Sequence, residues 1–137
     1  MTTLLKSSLL VVSCLLLTAC SSSLGLREDF DKSTKAYNRM LRWHEVENAG
    51  MLYVDKDQRA DFMKQAEMLK KRGVTLTDFR ILTTECLPER KTGEVIAEFD
   101  YFVLPSNKIK TMTYRQEWTY KDLTNSWKLK NGLPTFD

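Results

Sequence analysis

The sequence predicts a single α+β domain in which N-terminal helices pack on one face of a strongly curved antiparallel sheet, behind a cleaved signal peptide. Three patterns predict it. A short apolar run ends in small residues near position 19, apolar side chains then recur at helical spacing as far as Gly73, and from Leu76 the period changes to two. The chain divides accordingly into a signal at 1–19, a tether at 20–28 and one domain at 29–137.

Composition bounds this reading. Of 137 residues, removal of 19 leaves 118, enough for one modest core. An apolar content of 42% belongs to a folded chain. The net charge is +3, and Lys6 leaves with the signal, so the remainder carries +2. Twenty-one basic residues diluted by 18 acidic ones do not make the clustered basic surface that nucleic-acid binding requires.

The spacing of Phe30, Tyr37, Leu41 and His44, with Met40 beside it, predicts a helix over Asp29 to Glu47. Asn48-Ala49-Gly50 ends or bends it, and Met51-Leu52-Tyr53-Val54 follows as a brief connector. Asp55 and Gln58 have capping-box spacing for a second helix that runs to Arg72, buries Phe62, Ala66 and Leu69, and stops at Gly73. Its last turn, Lys70-Lys71-Arg72, suits the negative end of a helix dipole.

Alternation then predicts strands near Leu76–Leu87, Glu94–Leu104, Ile109–Tyr120 and Ser126–Lys130, joined by short turns and therefore antiparallel. Val95, Ala97, Phe99, Tyr101 and Val103 share one side of the second strand, and Ile96, Glu98, Asp100 and Phe102 the other. Asp78 and Arg80, with Arg115 and Glu117, supply charges for cross-strand ion pairs on a solvated face.

The N-terminal run Leu9 to Leu17 is too short to span a bilayer and is preceded by Lys6. It is followed by Leu17-Thr18-Ala19-Cys20, which resembles the bacterial lipobox. That resemblance implies cleavage before Cys20, diacylglycerol on its sulfur and an acyl chain on its amine, and two or more chains give stable membrane anchoring. Ser21, in place of a retaining Asp, implies the periplasmic face of the outer membrane. Cys14 leaves with the signal and Cys20 is lipidated, so Cys86 is one odd thiol, expected buried and inert, without an intramolecular disulfide.

Two helices followed by a long meander that ends in Trp118-Thr119-Tyr120 and Trp127-Lys128-Leu129 resemble the NTF2-like, or cystatin-like, α+β cone superfamily. The resemblance implies a cone able to hold a small molecule in some members, and non-catalytic domains that dimerise through the sheet in many others.

Little in the residues points to catalysis. The single histidine, His44, lies three residues before Glu47, but a metal site needs further ligands that the chain does not offer, so no metal and no cofactor beyond the lipid on Cys20 are expected. No Ser/His/Asp arrangement or phosphate-binding glycine loop is present. His44, on the stripe expected to face the core, together with Tyr114, Trp118 and Trp127 forms the candidate pocket or interface, although large aromatic residues on adjacent strands usually make a core. The expectation is a lipid-anchored, non-catalytic binding or scaffolding module with a protein partner in the envelope, or a homodimer. The alternatives are a small-molecule-binding or enzymatic cone using His44, and a structural accessory of a secretion, pilus or efflux assembly.

Overall fold

A computed structural model describes residues 22–137; the expected signal, lipobox and Cys20 lie outside the described residues. The order is α1 (Thr2–Arg42), α2 (Val46–Tyr53), α3 (Arg59–Arg72), β1 (Val74–Leu87), a 3-10 turn (Pro88–Arg90), β2 (Thr92–Val103), β3 (Lys110–Lys121) and β4 (Ser126–Leu129). The four strands form one antiparallel meander, β1-β2-β3-β4, with all three helices against one face. Among the described residues, no helix is long and apolar enough to cross a membrane.

The helices depart from the sequence expectation in three places. The first helix ends at Arg42, not Glu47, because Met40 to Glu45 close a left-handed cap: the Glu45 N–H donates to the Met40 carbonyl at 2.9 Å, the His44 N–H to that of Leu41 at 3.1 Å, and His44 takes φ +66°. Residues 51–53 of the expected connector are instead the last turn of α2, whose Ala49 and Gly50 are buried, and Val54 is extended and bridges to Leu129. Gly50 is needed there because the Phe62 ring would lie 2.6 Å from a Cβ. The capping box does not form. The Asp55 N–H is taken by the Leu129 carbonyl at 2.9 Å, its carboxylate by Lys121 at 3.0 Å, and α3 begins at Arg59 without a side-chain cap. The end of α3 is as expected: Gly73 at φ +71° stops the helix behind Lys70, Lys71 and Arg72.

Residues 22–28, expected as a flexible tether, continue α1. Leu26 packs against the core, its carbonyl accepts from Trp127 Nε1 at 3.0 Å, and Arg27 Nη1 donates to the Cys86 carbonyl at 3.0 Å. These contacts reach the far end of the sheet and tie the segment to the domain.

Inward-facing residues follow the register across β1, β2 and β3: Phe79, Phe99 and Met112; Ile81, Ala97 and Tyr114; Cys86, Gly93 and Trp118. Two bulges in β1, at Leu76/Asp78 and Ile81/Thr83, each insert one residue. They move Asp78 and Arg80 to the outer face and leave Leu82 exposed, where unbroken alternation from Leu76 would have buried all three. The outer face is ionic: Arg80 Nη1 meets Asp100 at 3.0 Å and its Nε meets Glu98 at 3.0 Å, while Arg115 Nε meets Glu94 at 2.8 Å. The sheet is not closed or strongly curled, because β4 contributes four residues and leaves β1 and β4 as separate edges.

The segment after β4 returns across the core. Leu133 and Phe136 are buried, the Leu133 N–H donates to Gln65 Oε1 at 2.9 Å, and the Phe136 ring stands edge-on to Tyr101 with centroids 5.0 Å apart. It seals the space between α3 and β2, and nothing in the local pattern of residues 131–137 foretold it.

Candidate functional site

Tyr114, Trp118 and Trp127 lie in the centre of the core. Trp118 and Trp127 are each 1% exposed. Phe30 stands edge-on to both, at centroid distances of 6.3 and 4.8 Å, and Tyr37 is 5.4 Å from Trp118. Such edge-to-face packing fills volume while matching the positive ring edges to the negative faces. The Tyr114 hydroxyl lies 2.9 Å from that of Tyr37 and donates to the Gly132 carbonyl at 2.8 Å. Burial pushes both phenols well above the ordinary tyrosine value, so neither supplies a proton near neutrality. The helices of their own chain cover these three side chains.

His44 is elsewhere. It sits exposed in the turn between α1 and α2 and borders a groove of about 170 Å³ floored by Leu41, Ala66, Leu69 and Leu76, with Glu47 and Lys70 at the rim, 3.8 Å from one another. That volume is below the ~300–1,000 Å³ typical of small-molecule sites. The expectation placed His44 on the core-facing stripe of a helix, but its backbone is the helix cap, and the cap turns the side chain out of that stripe.

A larger feature lies at the other end of the domain. Between the α2–α3 connection and the β3–β4 turn, a groove of about 330 Å³ is bordered by Lys56, Arg59, Lys121 and Lys128, with Asp55, Asp57, Leu123 and Thr124. Lys121 is paired with Asp55 at 3.0 Å, and this contact holds the Asp55 carboxyl below the usual carboxylate range. Lys56, Arg59 and Lys128 have no carboxylate within 4.0 Å among the described residues. Arg59 Nη2 reaches only the Val54 carbonyl, at 3.4 Å, and its Nε is buried with no hydrogen-bond partner. Lys128 Nζ donates to the Leu52 carbonyl at 2.7 Å, and burial, then the charge of Arg59, lowers its pKa below the ordinary lysine value. The groove therefore presents cations whose charge its own carboxylates do not balance. Sequence reasoning missed it because Arg59 and Lys128 belong to different elements and converge only when β4 is laid beside α2.

A third groove, of about 270 Å³, crosses the outer sheet face, where Glu85, Glu94 and Glu117 stand in register on adjacent strands. Among the described residues, no group of three or more His, Cys, Asp or Glu is arranged to hold a metal ion. Cys86 is unpaired and half-buried, and burial raises its thiol pKa, which keeps it in the unreactive protonated form.

No protein family and no curated protein matches this chain. Among solved structures, the intermembrane-space region of the chloroplast protein ARC6 is similar over 72% of this chain and 92% of its own, with 14% identity and a TM-score of 0.48.

Proposed function

We propose that the protein is a lipid-anchored lipoprotein of the outer membrane, facing the periplasm, whose single domain binds or scaffolds a partner and catalyses no reaction. The observation that carries this reading is the filled interior. The aromatic residues that would line a cone cavity pack against Phe30 and Tyr37, and the C-terminal segment closes the remaining gap with Leu133 and Phe136, so recognition is left to the surface. The helix-first order, the four-stranded meander and the closing strand Trp127-Lys128-Leu129 support an NTF2-like domain with an open sheet. The anchor rests on Leu17-Thr18-Ala19-Cys20, and the membrane assignment on Ser21.

Metabolic labelling with fatty acid, followed by membrane fractionation, tests the anchor. The wild-type chain should take up label and sediment with outer membranes, and Cys20→Ser should do neither. A Cys20→Ser chain that is still labelled and still sediments there would overturn the reading. His44→Ala should leave the cellular function intact; its loss in a folded protein would favour the enzymatic alternative.

A further inference from the structure

We propose that the basic groove between α3 and the β3–β4 turn receives the phosphate of an anionic phospholipid in the anchoring membrane, with Leu123 inserted beside it among the acyl chains. This rests on the anchored reading above. The chain leading from Cys20 joins the domain at Leu26, whose carbonyl is held by Trp127 of β4, and the β3–β4 turn immediately precedes that strand. Five residues lie between Cys20 and Leu26, and these six steps along the chain reach at most about 20 Å even if fully extended. An anchor so short keeps this end of the domain, rather than the end bearing His44, against the lipid surface.

Leu123 is fully exposed, at 101% of its reference area, at the tip of a turn pinned by the pairing of Lys91 with Asp122 at 2.7 Å. A projecting leucine beside a cationic groove suits an interface that is charged at its surface and apolar a few ångströms deeper. Arg59 offers a guanidinium with an unused buried Nε, and the planar fork of that group matches phosphate oxygens. Lys56 and Lys128 add charge, opposed by Asp57 and by an Asp55 already engaged with Lys121. An anion seated between Arg59 and Lys128 would offset the repulsion between these two cations, which adds to burial in lowering the Lys128 pKa.

The test uses the full acylated chain, carrying Cys86→Ala, in phosphatidylcholine vesicles with and without phosphatidylglycerol. Leu123→Cys bears an environment-sensitive fluorophore, and Leu82→Cys, exposed on the outer strand, is the reference. With phosphatidylglycerol present, brominated lipid should quench the label at 123 several-fold more than at 82. Lys56→Gln, at an exposed side chain, should weaken that docking about fivefold, as expected for roughly 1 kcal/mol per cation near an anionic surface. Equal quenching at 123 and 82, or quenching indifferent to both phosphatidylglycerol and Lys56→Gln, overturns the proposal. So does a groove that is saturated by inorganic phosphate while the label at 123 remains in water, which would assign it to a soluble phosphate compound. Mass spectrometry separates the two failures: an unacylated Cys20 removes the anchor and this proposal together, whereas an acylated chain with a solvent-exposed label removes only the docking.

Discussion

The side-chain amides of Asn38 and Gln116 bond each other in both directions inside the core: Asn38 Nδ2 donates to Gln116 Oε1 at 3.2 Å, and Gln116 Nε2 donates to Asn38 Oδ1 at 2.6 Å. Both residues are fully buried, and Asn38 Nδ2 also reaches the Thr34 carbonyl at 2.8 Å. The pair joins α1 to the central strand β3 at one register, since a slip of one residue on β3 would carry Gln116 to the outer face.

Replacing one member strands the other. Asn38→Leu or Gln116→Leu should each destabilise the domain by about 2–3 kcal/mol, whereas the double replacement should recover much of the loss. Urea denaturation of the four proteins reads this directly, and single variants as stable as wild type would show that the pair contributes nothing.

Gly93 lies under the Phe30 ring, which occupies the place a Cβ would take, and it faces Trp118 across the β2–β3 ladder. Gly93→Ala should therefore cost about 1–3 kcal/mol through displacement of Phe30. Phe30→Leu on the Gly93→Ala background should restore part of it. The same melts decide the matter: additive losses would mean that the two sites are not coupled.

His44 holds a left-handed backbone conformation that glycine adopts without strain. His44→Gly should raise stability by about 0.5–1 kcal/mol and leave function unaltered. A thermal melt and a functional assay together check this, and a destabilised His44→Gly would mean that the imidazole carries contacts beyond its cap geometry.

Acid should weaken the fold. Arg80 and then the Thr111 hydroxyl hold the Asp100 carboxyl below the usual range, and Lys121 does the same for Asp55. A carboxyl with a lower pKa folded than unfolded stabilises the native state above its unfolded pKa, about 4, and that contribution disappears as pH falls through the folded value. Urea midpoints should fall below about pH 4, and the Asp55→Asn, Asp100→Asn double variant should show a shallower fall. Equal slopes in the two proteins would assign acid sensitivity to other groups.

Much of the architecture was legible from spacing. Phe30, Tyr37 and Leu41 mark the buried stripe of α1, and Val95 to Tyr101 mark the inward face of β2, because helix and strand periods are local properties of the backbone. The bulges at Thr77 and Leu82 were not legible. They show only in the pairing with β2, since nothing in β1 alone says where its partner lacks a residue. His44 was misplaced for a related reason: its three-residue spacing from Leu41 fits a helical face, but Glu45 bonding back to Met40 ended the helix first.

By itself the sequence determined the α+β order, the antiparallel meander and the stop at Gly73, each of which depends on neighbours within a few residues. The tertiary structure alone decided that residues 131–137 seal the core and that Arg59 and Lys128 share a groove. Those outcomes depend on residues as far apart as Leu26 and Trp127, and such distances are fixed only when burial of the helices against the sheet selects one packing from many.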